Sequence, residues 1–277
     1  MSASDSRSRS GALEGPLDIS LVLQNLGAAR LGSKLHYFEQ LGSTNIHARE
    51  LAENGAAEGE VVIAEAQTQG RGRLGRRWES PPSVNLYFSI ILRPKLAPEH
   101  AAQITLMAAV GVADAVSTFI TQQPAIKWPN DILVNGKKLA GILAEASCDA
   151  ARVEYVILGI GINVNCRIGS MPSEIGERAT SLFELTGNNA SREIVLGRLI
   201  QALDRCYGVL EASGFDALRP RWEARFNLRG KRVRAELGNE VIIGCARGIN
   251  AGGALVLEDD KGVLKTVIAG DVIPLER

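Results

Sequence analysis

One arginine- and glycine-rich loop, placed between two predicted β-strands, excludes two common nucleotide-binding folds. The loop is GRGRLGRR, residues 70–77, and it contains no acidic residue. Short β-branched runs predict the flanking strands, over residues 58–68 and 85–94. A Rossmann fingerprint needs a helix directly after its glycines, and a P-loop ends in a Lys-Ser/Thr pair, but the sequence has neither here. The chain must therefore fold around a loop that joins two strands.

The four arginines of this loop indicate an anion site formed by side chains. Their forked guanidinium groups match carboxylate and phosphate oxygens, and they are Arg71, Arg73, Arg76 and Arg77. Because four like charges repel and the glycines are flexible, we expect the loop to be disordered alone and ordered by a bound anion. Two other interpretations stay open: a solvated basic loop, or a nucleic-acid contact in which Trp78 stacks on a base.

The rest of the chain predicts an α+β domain followed by a small all-β domain. Hydrophobic spacing predicts two helices, over residues 98–120 and 191–214. A hairpin with an Asn-Gly turn is predicted at 126–147 and a further strand at 154–165. After Leu228 only short strand-like runs follow, which is typical of a small β-barrel. We therefore place a partly disordered tail at residues 1–34, the α+β domain at 35–228 and the barrel at 229–277.

Charge and composition limit the possible partners. The formal net charge is +0, which argues against a broad nucleic-acid-binding surface, so any anion site must be local. The serine- and arginine-rich start lacks the apolar run of a signal peptide, and no apolar stretch reaches membrane-spanning length. The four cysteines have no metal-ligand spacing. We expect a cytoplasmic protein with reduced cysteines and no membrane contact.

Three further motifs each have a functional and a structural interpretation. GSTN, residues 42–45, is a polar cluster or a helix N-cap. In KWPNDILVNGKKLAG, residues 127–141, Asp131 could contact magnesium or begin a turn, and Lys138 could point inward or into solvent. Strand alternation puts Lys138 and Ala140 on one face, with Leu139 and Gly141 on the other. GIGINVN, residues 159–165, predicts either a close approach to the strand or a β-bulge.

In this order, the motifs GSTN, GRGRLGRRW, KWPND, KLAG and GIGINVN resemble those of biotin protein ligases, over about residues 36–166. The resemblance implies a catalytic domain like that of class II aminoacyl-tRNA synthetases, followed by an SH3-like barrel. It implies an enzyme that uses ATP and Mg²⁺ to form biotinyl-5′-AMP. The biotinyl group then passes to a lysine of a carboxylase's biotin carboxyl carrier protein or domain.

Site residues carry over where the motifs match. The resemblance implies biotin contacts at Ser43, Thr44, Asn45, Gln67, Arg71, Gly72, Arg73 and Lys138. It implies nucleotide contacts at Arg76, Trp78, Asn130, Asp131 and Asn163, with Asp131 also a candidate magnesium contact. Catalysis is expected from Arg71, Arg73 and Lys138, because two anionic substrates must meet. The resemblance also implies that residues 167–180 form a second mobile loop, which in the family orders over adenine.

Alternatives to this function also follow from the sequence. Many bacterial members of the family carry an N-terminal DNA-binding domain, and the motifs here begin at about residue 36, so we expect a monofunctional ligase without specific DNA binding. Lipoate ligases and octanoyl transferases share the fold but bind an apolar acyl chain. A nucleic-acid-binding regulator is the other alternative. Both a monomer and a homodimer are compatible with the sequence.

Overall fold

The computed structural model describes residues 15–237 and 240–275. The first domain contains a seven-stranded mixed sheet in the order β1-β2-β3-β7-β6-β5-β4, in which only β1 and β2 are parallel. Its strands are β1 Lys34–Leu41, β2 Glu60–Gln67, β3 Leu86–Leu92, β4 Ala125–Lys127, β5 Asp131–Val134, β6 Lys137–Cys148 and β7 Val153–Ile162. Its helices are α1 Ile19–Leu26, α2 Thr44–Glu53, α3 Ala102–Val116, α4 Ser173–Gly176, α5 Leu182–Thr186, α6 Arg192–Ser213 and α7 Arg219–Glu223.

Helices cover both faces of this sheet. On one face, α3 is apolar around most of its circumference and is buried between the sheet and α6. Gly111 allows the close helix contact, since a Cβ there would lie 3.1 Å from a methyl group of Leu203. On the other face, Ala48 and Ala52 of α2 pack against Val62 and Ile91. The crossover through α2 makes β1 and β2 parallel and places the N-terminus of α2 beside the end of β2.

The predicted hairpin forms, but its side chains do not alternate as expected. Asn135 and Gly136 both have positive φ, as the type I′ turn requires. A register shift then occurs opposite Leu139, because Leu133 pairs with Lys138 while Ile132 pairs with Ala140. This bulge buries Leu139 and Ala140 and leaves Lys138 on the same side as Gly141. The predicted faces for this segment were therefore wrong.

The segment before β1 packs on the first domain through a buried ion pair. Arg192 at the start of α6 donates to Glu65 of β2 at 2.8 Å, and both side chains are at most 5% exposed. The same guanidinium donates to the Gly15 carbonyl, and the Leu17 N–H donates to Glu65 at 2.7 Å. Residues 15–34, which the sequence assigned to a partly disordered tail, thus contribute to this domain's core. Residues 1–14 of that tail lie outside the described residues.

The second domain is a five-stranded antiparallel sheet in the order β11-β10-β9-β8-β12. Its strands are β8 Arg232–Leu237, β9 Glu240–Ile249, β10 Leu255–Glu258, β11 Leu264–Val267 and β12 Asp271–Pro274. Strands β11 and β12 are separated by a short segment that ends at Gly270, which has a positive φ.

Hydrogen bonds join the two domains. The Trp128 indole N–H donates to the Gly253 carbonyl at 3.0 Å, and the Gln103 amide donates to the Ala251 carbonyl at 3.0 Å. Arg219 donates to the Ile249 carbonyl at 2.9 Å. Among the described helices, none combines the length and apolar character needed to cross a membrane.

Candidate active site

A cavity of about 510 Å³ lies where the arginine loop, the N-terminus of α2, strands β5 to β7 and strand β12 of the second domain meet. Of the residues that the sequence assigned to the site, all but Asn163 line this cavity. They are Ser43, Thr44, Asn45, Gln67, Arg71, Gly72, Arg73, Arg76, Trp78, Asn130, Asp131 and Lys138. The fold therefore brings together motifs that are almost a hundred residues apart in sequence.

One end of the cavity is polar and uncharged. Ser43 occupies the N-cap position of α2, but within the described part of the chain its hydroxyl makes no capping hydrogen bond. The backbone N–H of Thr44 donates instead to Gln67 Oε1 at 2.8 Å, and Gln67 Nε2 donates to Ser80 Oγ at 3.1 Å. The N-cap interpretation of Ser43 therefore does not account for its hydroxyl, which lines the cavity.

Asn45 lines the cavity, yet its amide is already satisfied by the protein. Its Nδ2 donates to the Leu143 carbonyl at 3.2 Å and to Glu145 Oε2 at 2.8 Å. Its Oδ1 accepts from Ser89 Oγ at 2.7 Å. Both N–H groups are thus used, so this geometry gives Asn45 a supporting position and leaves the ligand-facing polar atoms to Ser43, Thr44 and Gln67.

Glycines in β6 and β7 allow two side chains to lie against the sheet. A Cβ at Gly159 would meet Asn45 Oδ1 at 1.9 Å, and a Cβ at Gly161 would meet the Trp78 indole at 2.5 Å. The same indole would lie 2.8 Å from a Cβ at Gly141. The GIGINVN motif therefore reflects close approach of side chains at these positions. The regular pairing of β7 with both β3 and β6 argues against the β-bulge interpretation.

The arginine loop is compact, and acidic groups from other elements contact it. The Gly72 N–H donates to the Arg76 carbonyl at 2.7 Å, and positive φ angles at Leu74 and Gly75 close the turn. Arg71 Nη1 lies 3.1 Å from Glu145 Oε1 of β6. The other contacts of the loop are Arg73 with Asn130 at 3.3 Å, Arg76 with Asp271 of β12, and Arg77 with Glu79 at 3.4 Å.

Lys138 lies at the centre of the cationic end. Its Nζ is 2.6 Å from Asp131 Oδ1 and 5.3 Å from the centre of the Trp78 ring. Its backbone N–H donates to the Arg178 carbonyl at 2.7 Å, and its carbonyl accepts from the Thr180 N–H at 2.9 Å. Lys138 is therefore held by the segment over residues 167–180, in which the sequence predicted a second loop.

The cationic end of the cavity carries an excess of positive charge. Seven lysine and arginine residues line the cavity against two aspartates. Burial lowers the pKa of Lys127, and nearby Lys138 also lowers that pKa while Asp131 acts against them. Burial likewise lowers the pKa of the Arg73 guanidinium. A ligand with several negative charges would relieve the repulsion among these groups.

The structure separates Asn163 from the rest of the predicted site. Its amide donates to the Thr180 carbonyl at 2.9 Å, and its backbone carbonyl accepts from the Leu182 N–H at 3.1 Å. These bonds anchor the start of α5, and the geometry does not support a nucleotide contact. The sequence also missed cavity residues and their supports, which are Lys127, Arg178, Asp271, Ser89 and Glu145. Lys127 is the first residue of the KWPND motif and Ser89 lies in the strand predicted over residues 85–94, but neither was assigned a role, and Arg178, Asp271 and Glu145 lie in no recognised motif.

Comparisons with known proteins show which families this chain resembles. The model of the Biotin/lipoate A/B protein ligase family matches residues 37–163, and that of the Biotin protein ligase C terminal domain matches residues 229–273. The biotin--[acetyl-CoA-carboxylase] ligase of Mycobacterium tuberculosis is 37% identical over 270 residues, covering 95% of this chain and 97% of the relative. The bifunctional ligase/repressor BirA of Bacillus subtilis is 38% identical, covering 93% and 79%.

A solved structure is also similar over most of its length. The biotin protein ligase from Aquifex aeolicus, in complex with biotin and ATP, superposes with a TM-score of 0.75 at 31% identity. The match covers 87% of this chain and 98% of the Aquifex chain.

Proposed function

Because this chain belongs to the biotin protein ligase family and is an ATP-dependent biotin ligase, we propose that it makes biotinyl-5′-AMP and then biotinylates a carrier lysine. The observation that supports this most strongly is the division of one cavity into a neutral polar end and a cationic end. The polar end fits a cyclic urea, which has two N–H donors and one carbonyl acceptor. The cationic end fits the phosphates of ATP.

In the first step, a carboxylate oxygen of biotin attacks the α-phosphorus of ATP. A P–O bond forms, and the bond to pyrophosphate breaks with its electrons leaving on pyrophosphate. Both reactants are anions, so cationic groups of the protein that offset their repulsion accelerate formation of the adenylate. We assign that role to Arg71, Arg73 and Lys138, whose positions at the cationic end support it. The substrate carboxylate is the nucleophile, so no side-chain nucleophile is needed.

Magnesium is proposed to enter with ATP. Among the described residues, no group of three or more acidic, histidine or cysteine side chains could hold a metal ion. Mg²⁺ is commonly held by one or two carboxylates together with substrate phosphates, so a site with few acids fits it. Asp131 is the carboxylate beside Lys138 and is the residue that would contact the ion. Bound there, the ion would supply further neutralisation of phosphate charge.

In the second step, the amine of a carrier lysine attacks the acyl carbon of the adenylate. An amide bond forms, AMP leaves with the electrons of the C–O bond, and the amine proton is released. We propose that the carrier belongs to a biotin-dependent carboxylase, in keeping with the names of the relatives. Specific DNA binding is not expected of a chain with a net charge of +0. A cytoplasmic location and a monomeric or homodimeric state also stay predictions.

The decisive experiment is mass spectrometry of a purified carrier domain after incubation with enzyme, biotin and ATP-Mg²⁺. The expected result is a gain of one biotinyl group, and omission of ATP should abolish it. Calorimetry with biotin and with lipoate, each beside a non-hydrolysable ATP analogue, tests the choice of vitamin. Binding of lipoate without binding of biotin would contradict the proposal.

A further inference from the structure

A continuous chain of hydrogen bonds surrounds the polar end of the cavity and begins at Glu145. Glu145 Oε2 accepts from Asn45 Nδ2 at 2.8 Å, and Asn45 Oδ1 accepts from Ser89 Oγ at 2.7 Å. Ser89 Oγ lies 2.8 Å from Thr44 Oγ1, which lies 3.2 Å from Gln67 Oε1. Ser89 is fully buried and Asn45 is 4% exposed, so water cannot substitute for these partners.

The chemistry of these groups determines which partner donates at each hydrogen bond in this series. A carboxylate only accepts, so Glu145 requires the Asn45 Nδ2 to face it and leaves Oδ1 toward Ser89. An amide oxygen also only accepts, so the single proton of Ser89 is donated to Asn45. At the next contact Ser89 must therefore accept. The Thr44 hydroxyl proton goes to Ser89 and not to Gln67 Oε1, because the Ser89 contact is the shorter of the two, at 2.8 Å against 3.2 Å, and two oxygens at 2.8 Å without a shared proton would repel more strongly.

This direction leaves two acceptors side by side in the cavity. With its proton used on Ser89, Thr44 Oγ1 cannot donate to Gln67 Oε1, although the two oxygens are 3.2 Å apart. Gln67 Oε1 already accepts from the Thr44 N–H, which keeps that oxygen in place. Thr44 Oγ1 and Gln67 Oε1 therefore direct lone pairs toward each other. A ligand N–H placed between them would donate to both and remove this repulsion.

We propose that Glu145 and Ser89 are positioning residues that set the hydrogen-bond polarity of this pocket, so that it selects a ligand with a ring N–H. The inference rests on the proposed function and extends it from the vitamin to the atoms by which the pocket recognises it. Neither residue contacts the ligand in this scheme. Glu145 and Ser89 act by keeping the Thr44 hydroxyl as a donor to Ser89, so that it does not donate to Gln67.

The two carboxylate oxygens of Glu145 face different partners, so the isosteric change Glu145→Gln can test the proposal. Its Oε1 lies 2.9 Å from Arg49 Nη2 and 3.1 Å from Arg71 Nη1, so in Glu145→Gln the side-chain oxygen stays with the guanidiniums. The new NH₂ group then faces Asn45, whose amide must rotate by 180° to accept from it. Every later bond in the chain reverses, and Thr44 donates to Gln67. The rotation costs Asn45 its bond to the Leu143 carbonyl, which at 3.2 Å is the longer of its two.

The experiment compares biotin with its two cyclic carbamate analogues, each of which has one ureido N–H replaced by oxygen. Calorimetry with wild type should show that one analogue binds about 100-fold more weakly than biotin, because an oxygen then faces the two acceptors. In Glu145→Gln and in Ser89→Ala, that ratio should fall at least tenfold. Ser147→Ala is the matched control on the same sheet, since Ser147 bonds to Glu154 outside the cavity, and it should keep the wild-type ratio.

The ratio distinguishes positioning from general damage. A loss of stability weakens biotin and both analogues equally, so an unchanged ratio in both variants would overturn the inference. A drop of similar size in Ser147→Ala would overturn it too. If wild type binds no biotin and releases no pyrophosphate, the proposed function fails instead. If wild type is active and shows no discrimination between biotin and either analogue, only the inference fails.

Discussion

Replacing Lys138 with alanine should abolish most adenylate synthesis while leaving the fold intact. The Lys138 Nζ lies 2.6 Å from Asp131 at the cationic end, so it is already positioned for the developing charge of the transition state. A unit charge about 4 Å from a phosphate oxygen is worth roughly 4 kcal/mol at an effective dielectric constant near 20. Loss of one preorganised group of this kind typically costs about 10²–10³ in rate, or about 2.7–4 kcal/mol, which agrees with that figure.

The effect of Lys138→Ala on stability should be much smaller. Lys138 is 34% exposed and Asp131 is 21% exposed, so solvent screens their ion pair, and such pairs contribute about 0–1 kcal/mol. We therefore expect a small change in the melting temperature beside a loss of about 100- to 1,000-fold in pyrophosphate release. Lys137→Ala is the matched control, because Lys137 is the adjacent residue and its side chain is exposed.

Single-turnover measurement of pyrophosphate release separates chemistry from product release. A Lys138→Ala rate within about threefold of the wild-type rate would refute the electrostatic argument, because the expected loss is about 10²–10³. An equal loss in Lys137→Ala would show that the general charge of the hairpin matters and not the position of one ammonium group.

Three further changes test other parts of the structure. Gly161→Ala forces the Trp78 indole off the sheet, so affinity for a non-hydrolysable ATP analogue, measured by calorimetry, should fall about tenfold or more, with a stability loss of about 1–3 kcal/mol from overpacking. Lys127→Met should raise the melting temperature of the ligand-free enzyme at neutral pH. Burial lowers the Lys127 pKa, so wild type holds an unfavourable charge below that pKa, and the gain should shrink as the pH approaches the ordinary value of 10.5. Arg192→Met leaves the Glu65 carboxylate buried without its cation, and denaturant unfolding should report a loss of about 3–5 kcal/mol.

Most strands and helices of the α+β domain were predictable because each has a strong local signal. The Asn135-Gly136 turn is one example, and the helix predicted over residues 191–214 is another, since α6 covers Arg192–Ser213. The bulge at Leu139 was not predictable, since it depends on how β6 pairs with both neighbouring strands. The core contribution of residues 15–34 also escaped prediction, because it depends on a buried ion pair between positions 127 residues apart.

The site residues also divide into those that the sequence motifs predict and those that depend on the folded structure. Apart from Asn163, the motif residues that the resemblance assigned to the site all line one cavity. Ser89 and Glu145 lie in ordinary strand sequence, and only the folded sheet brings them to Asn45. Asn163 shows the opposite error, because its motif position suggested a ligand contact whereas its amide supports a turn.

The contacts of the arginine loop show how a chain with no net charge can maintain a cationic site. The expectation that this loop is disordered alone rested on repulsion among four like charges. In the structure, three carboxylates offset that repulsion: Glu145 of β6, Asp271 of β12 and Glu79, which follows the loop in sequence. The loop arginines in these pairs are 43–64% exposed, so each pair contributes only about 0–1 kcal/mol and a substrate phosphate can displace the carboxylate. Carboxylates, two of which are distant from the loop in sequence, therefore balance the loop's positive charge until a more highly charged anion displaces them.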